Sequence, residues 1–309
     1  MIGIKAIASY VPEETIDNIE RAKIFDQNED FIRNKIGAVN LPIKRSDQDT
    51  SDMAVIAIQS LLEKNPTLHL QDVDALVVVT QNPDGEGLPH TSAIVQAKVG
   101  LPTTVAAFDI SLGCSGYVHA LYVMQGFLAS SGLENGIIVT ADPYSKVVDH
   151  KDKVTSLLFG DAATATWIGD KPIWSLGPVA YGTNGEGADF LKVEDHNLYM
   201  NGRQVFNFAL SKVAPHIKDL LEKANLSVKD VDLYCLHQGS AAIVDAITKS
   251  FSLVSDRFVK DLENTGNTVS SSIPLLLEKY AFDNTMQRMV LSGFGVGMSW
   301  ATAIIEKVE

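Results

Sequence analysis

Ser60–Gln81 reads SLLEKNPTLHLQDVDALVVVTQ and Asp219–Gln238 reads DLLEKANLSVKDVDLYCLHQ, and laid side by side the two stretches follow one pattern. Each runs from an amphipathic helix closing on Leu-Leu-Glu-Lys, through a connector and an Asp-Val-Asp turn, into an apolar strand. A second pair echoes the first: FGDAATATWIG from Phe159 and FGVGMSWATAII from Phe294. Each of these follows another apolar strand, GIIVT at Gly136 or RMVLS at Arg288. Such self-similarity predicts two copies of one α/β unit. The boundary is expected near Lys171-Pro172, giving an N-terminal half 1–171 and a C-terminal half 172–309. Buried runs such as ALVVVT, separated by helical patterns, predict sheets covered on both faces by helices. A site at the seam between the halves is the natural consequence.

Composition narrows the function. A net charge of −13 over 309 residues argues against nucleic acid, which needs concentrated Lys and Arg, and weighs against a membrane surface. No stretch approaches the ~18 uninterrupted apolar residues of a membrane-spanning helix. The start, MIGIKAIASYVPEE, resembles neither a signal nor a transit peptide. The two cysteines, Cys114 and Cys235, fit no metal-ligand or disulfide spacing. The expectation is a cytoplasmic protein without metal or cofactor.

Three segments carry candidate chemistry. Cys114 lies in Gly113-Cys114-Ser115-Gly116, after the strand-like VAAFDI and before an apolar-rich helical run. Flanking glycines permit a tight turn, and the start of the following helix favours a thiolate. The competing reading of a lone Cys is a small buried hydrophobe, and LYCLH assigns that role to Cys235. His237 follows an apolar strand, where ligand sites sit in α/β sheets, although a single His there serves structure as readily. Asn267, in Asn264-Thr265-Gly266-Asn267-Thr268, fits an ordinary turn as well as a hydrogen-bond donor. The glycine-rich Gly293-Phe294-Gly295-Val296-Gly297 lacks the helix and acidic residue of a dinucleotide site; it reads as a turn offering an N–H to an oxyanion. A thiol, an imidazole and an amide together point to acyl transfer.

Read in order, these segments are similar to the β-ketoacyl-ACP synthase III family of the thiolase-like superfamily. The resemblance spans Tyr10-Val11-Pro12, Asp109 to Gly116, Phe159-Gly160-Asp161, Asn201 to Phe206, His237-Gln238, Gly266-Asn267-Thr268 with Ser271 to Pro274, and Gly293 to Trp300. It implies a five-layered αβαβα fold of two duplicated halves and a homodimer. It implies Cys114, His237 and Asn267 as the catalytic set, with backbone N–H groups of Cys114 and Val296 as the oxyanion donors. Cys114 would take an acyl group from a thioester such as acyl-CoA, then undergo decarboxylative Claisen condensation with a malonyl thioester. The expected CoA- or carrier-binding residues are Phe31, Lys35, Lys146, Ser240 and Lys249, with Leu88 closing the acyl pocket across the dimer. Several differ from the family's usual residues: Phe31 and Lys35 stand for Trp and Arg, Gly239-Ser240 for Ala-Asn, and Asn207 for a Lys. Acyl carrier protein is acidic, so its docking here depends on a local basic patch such as Lys249 provides. Two alternatives stay open: transfer of the Cys-bound acyl group to an alcohol or amine, and a non-catalytic partner subunit.

Overall fold

The two Asp-Val-Asp turns have the same structural role. Asp74 Oδ2 accepts from the backbone N–H groups of Glu134 and Asn135, both at 2.9 Å. Asp232 Oδ2 accepts from those of Gln287 and Arg288, both at 2.8 Å. Each carboxylate thereby ties the start of one parallel strand to the start of its neighbour. This is a computed structural model, and it describes residues 1–283 and 285–308. Glu309, the expected end of the second half, lies outside the described residues.

We number the strands of the large sheet and the six longer helices. The first part of the chain runs β1 (Ile2–Tyr10), α1 (Thr50–Lys64), β2 (Ala75–Val79), α2 (Thr91–Val99), β3 (Ala106–Ile110), α3 (Gly116–Ser131), β4 (Asn135–Ala141) and β5 (Ala163–Asp170). The second runs β6 (Trp174–Thr183), α4 (Gly202–Lys223), β7 (Leu233–Leu236), α5 (Ala241–Thr248), α6 (Ser272–Tyr280), β8 (Arg288–Gly295) and β9 (Ser299–Lys307). The sheet order is β7-β8-β9-β6-β1-β5-β4-β2-β3. Outward from the centre, β1-β5-β4 is antiparallel and β4-β2-β3 parallel; β6-β9-β8 is antiparallel and β8-β7 parallel. Within the sheet the two runs pair, among the described residues, at Gly3 with Ser175 and at Ile4 with Trp174. Where β3 has a counterpart in the second run, the structure keeps a single parallel bridge, Tyr234 to Phe258.

The alternation of side chains along these strands builds the layers. In β2, Val77 and Val79 pack with Tyr117, Leu121 and Met124 of α3, whereas Leu76 and Val78 pack with Met53, Ile58 and Leu61 of α1. In β7, Leu233 and Cys235 join that same central cluster beside Ile273 and Leu277 of α6. Tyr234 and Leu236 face the outer layer with Ile217 and Leu221 of α4. The result is helix, sheet, helix, sheet, helix: α1 and α2 outside, α3 and α6 between the sheets, α4 and α5 on the far side. Each fully buried Val, Leu or Ile contributes roughly 1.5–3 kcal/mol. Burial on both faces keeps the strand interiors mostly apolar, and the site forms at the strand ends.

Candidate active site

Cys114 stands in the turn between β3 and α3, which the Gly116 N–H closes by donating to the Gly113 carbonyl at 2.7 Å. The glycines there are required by close approach. A Cβ on Gly113 would lie 2.6 Å from Gln81 Oε1, and one on Gly295 would lie 2.9 Å from Cys114 Sγ. The glycine-rich turn of the second run therefore rests directly on the elbow of the first. Cys114 is 5% exposed. Burial, and then the charge of Asp142, push its thiol well above the ordinary range. The N–H groups of Cys114 and Val296 are aimed at the sulfur and pull the other way, without reversing the shift. Val296 stays out of the left-handed region, so its β-branched side chain costs the turn nothing.

His237 caps the end of β7, where its N–H donates to the Ser292 carbonyl at 2.9 Å. Its ring meets the edge of Phe294 with centroids 5.5 Å apart, and Nδ1 lies 2.8 Å from Ser272 Oγ. Burial pushes its pKa down to about 3, against the opposing pull of the Val269 carbonyl. The imidazole is therefore neutral in its working range. Asn267 is fixed by its backbone, donating to the Leu158 carbonyl at 2.9 Å and accepting from the Gly160 N–H at 3.2 Å. Gly266 before it has φ +63°, with Leu41 and the Leu158 carbonyl where a Cβ would be. The Asn267 Oδ1 accepts from the Val269 N–H at 2.9 Å, which leaves Nδ2 as the end available to a ligand.

Cys114, His237 and Asn267 line one cavity of about 260 Å³. Apolar side chains such as Phe206 and Leu191 wall it, and Phe31, Lys35 and Ser240 line it too. Ser240 also caps α5, accepting from the Ile243 N–H at 3.3 Å. The arrangement offers a thiol with N–H donors about it, a neutral imidazole and a carboxamide N–H₂ in a largely apolar pocket, the equipment of thioester chemistry.

Three expected binding residues are placed elsewhere. Lys146 is absent from the cavity lining: its Nζ is held by Asp49 Oδ1 at 2.6 Å and by the Pro83 carbonyl at 2.6 Å. Lys153, which the sequence reading missed, lines the cavity instead, with Nζ 5.3 Å from the centroid of the Phe31 ring. Leu88 is 93% exposed and Lys249 is also on the surface, so neither reaches the cavity within one chain. Asp142 was missed as well. It is buried beside the elbow and accepts from Asn82 Nδ2 at 2.9 Å and the Gln81 N–H at 3.1 Å. Its second oxygen has no partner among the described residues. Burial pushes this carboxyl up to about 7 against those hydrogen bonds. Nothing but its place after a strand could have flagged it. Among the described residues no group of His, Cys, Asp and Glu is arranged to hold a metal ion, and no helix is long and apolar enough to cross a membrane.

Residues 108–185 match the family description "3-oxoacyl-[acyl-carrier-protein (ACP)] synthase III", and residues 221–307 match its C-terminal counterpart. The chain is 34% identical to a β-ketoacyl-[acyl-carrier-protein] synthase III of Lactococcus lactis subsp. cremoris, over 98% of each. The namesake of Clostridioides difficile is 30% identical over the same share of each chain. Among solved structures, the synthase III of Thermus thermophilus superposes with a TM-score of 0.91 at 31% identity, covering 99% of both chains. OleA of Xanthomonas campestris shares the fold, with a TM-score of 0.89 at 16% identity over 99% of this chain and 98% of that one.

Proposed function

The chain belongs to the β-ketoacyl-[acyl-carrier-protein] synthase III family and is a condensing enzyme of that type, and from this we propose how its own residues divide the work. Cys114 is the nucleophile. It attacks the carbonyl carbon of an acyl thioester such as acyl-CoA, the carbonyl oxygen takes the negative charge, and the N–H groups of Cys114 and Val296 hold it. The C–S bond of the donor then breaks, leaving acyl-Cys114 and a free donor thiol. In the second half-reaction the malonyl thioester loses CO2, and the electron pair of the broken C–C bond becomes an enolate. His237 Nε2–H and Asn267 Nδ2 donate to its oxygen. The enolate carbon attacks the acyl-Cys carbonyl, and the Cys114 sulfur leaves with its electron pair and takes up one proton.

The observation that carries this reading is that the three side chains face one cavity while two N–H groups point at the thiol sulfur. Phe31, Lys35 and Lys153 suit the nucleotide end of CoA: a ring to stack and two cations for phosphate. Ser240 is read as a pantetheine contact, and Lys249 as a cation for acidic acyl carrier protein. The halves 1–171 and 172–309 are read as the duplicated units, joined through Lys171 at φ +48°. A homodimer is supported by the half-buried edge strand β3 and by Leu88 standing clear of its own cavity, and Leu88 is read as closing the partner's acyl pocket. Sedimentation as a single chain would overturn that last point. The roles separate in the half-reactions. Asn267→Ala should still form acyl-Cys114, and both Asn267→Ala and His237→Ala should reduce decarboxylation of the malonyl thioester by about 100-fold or more. Equal loss of both steps in Asn267→Ala would contradict the division.

A further inference from the structure

Ser272 opens α6 and is buried, and its hydroxyl serves two neighbours with one proton. Its Oγ lies 2.8 Å from His237 Nδ1 and 3.1 Å from the Val269 carbonyl oxygen. When the hydroxyl donates to Val269, Nδ1 must carry the ring proton and donate to Oγ, so Nε2 is a bare lone pair. When it donates to Nδ1, Nε2 carries the proton. Val269 reaches this position at φ +52°, a conformation that costs a β-branched residue, and the turn so made presents its carbonyl to Ser272 and its N–H to Asn267. Ser272 also borders a second cleft, of about 380 Å³, away from the substrate cavity; Asp261, Lys279 and the buried Thr268 line it. Thr268 Oγ1 has no partner among the described residues.

We propose that Ser272 is a positioning residue that switches His237 between its two neutral tautomers, exchanging protons with this rear cleft. The inference rests on the roles given above to Cys114 as nucleophile and to His237 as donor to the enolate, and adds for His237 the part of base in acylation. In acylation, bare Nε2 takes the Cys114 proton while Nδ1 gives its own to Ser272 Oγ, whose hydroxyl proton passes to water in the cleft. The departing donor thiolate is protonated from solvent. The ring is then Nε2–H, the form that the enolate needs. After condensation, Nε2–H protonates the Cys114 thiolate, Ser272 donates its proton to Nδ1, and cleft water restores the hydroxyl. Over the cycle one proton is consumed, matching the conversion of a malonyl carboxylate into CO2.

The test compares Ser272→Ala, Ser272→Thr and His237→Ala, measuring condensation kcat, KM for the malonyl thioester, and Tm. Ser272→Ala is expected to lower kcat about 10–100-fold, with KM changed less than about twofold, because it removes a proton carrier and no substrate contact. Ser272→Thr keeps the hydroxyl and is expected to recover most of kcat. Wild-type kcat in Ser272→Ala, or an equal loss in the Thr variant at unchanged Tm, would overturn the inference. If His237→Ala itself condensed at the wild-type rate, the fault would lie with the role assigned to His237, and the inference would fall with it.

Discussion

Two lysines seven positions apart show what decides a binding residue. Lys146 and Lys153 both belong to the charged connection after β4, and the family resemblance singled out Lys146. Asp49, whose side chain caps α1, captures Lys146, and the Pro83 carbonyl completes its coordination. Lys153 is left at the cavity beside Phe31. Lys153→Ala is therefore expected to raise KM for acyl-CoA about 3–10-fold with little change in Tm, whereas Lys146→Ala should lower Tm and leave KM nearly unchanged. Saturation kinetics with both variants checks this. Cys114, His237 and Asn267 were legible because each ends an apolar run or sits in a glycine turn. Asp142 carried no such signal, since only burial makes it unusual. Its folded pKa of about 7 lies above the ~3.9 of an unfolded Asp. Between those values the folded chain holds a proton that the unfolded chain has lost, so stability falls as pH rises from about 4 to 7 and stays lower above. Asp142→Asn cannot ionise and keeps an oxygen for the Asn82 and Gln81 donors. Its Tm relative to wild type is expected to rise by several degrees between pH 5 and pH 8; a constant difference would contradict the shift.

At the scale of elements, the Asp-Val-Asp repeat was readable as a turn, but its purpose was not. The carboxylate of Asp74 reaches the start of β4 and that of Asp232 the start of β8, contacts 60 or 61 and 55 or 56 residues away in sequence. Pattern reading works within a window, and such contacts lie outside it. Asp74→Ala and Asp232→Ala are expected to destabilise the fold by similar amounts, each leaving two backbone donors without their charged acceptor, about 1.5–3 kcal/mol. Urea unfolding at pH 7 measures both; a neutral effect at either would separate the two turns. The helices were legible in the same partial way. Leu-Leu-Glu-Lys closes both α1 and α4 as expected. The counterpart of β3 was beyond reach, because around Phe258 the chain makes one bridge where the first run makes a strand.

Across the whole molecule, the repeated strand order places the glycine-rich turn after β8 against the elbow after β3. That contact brings a thiol from one run to an imidazole and an amide from the other. The layered fold was legible from the quoted repeat; the cavity was not, since its walls come from connections that share no pattern. The account rests on a covalent acyl-Cys114 that a malonyl thioester discharges. The most direct measurement is the intact mass of the protein after incubation with acyl-CoA, then with malonyl thioester, with Cys114→Ala in parallel. An acyl adduct that requires Cys114 and disappears on malonyl addition, with β-ketoacyl product and CO2 in equal amounts, is the expected result. No adduct from any donor, or one that persists with malonyl thioester and is released by an alcohol or amine, would contradict it.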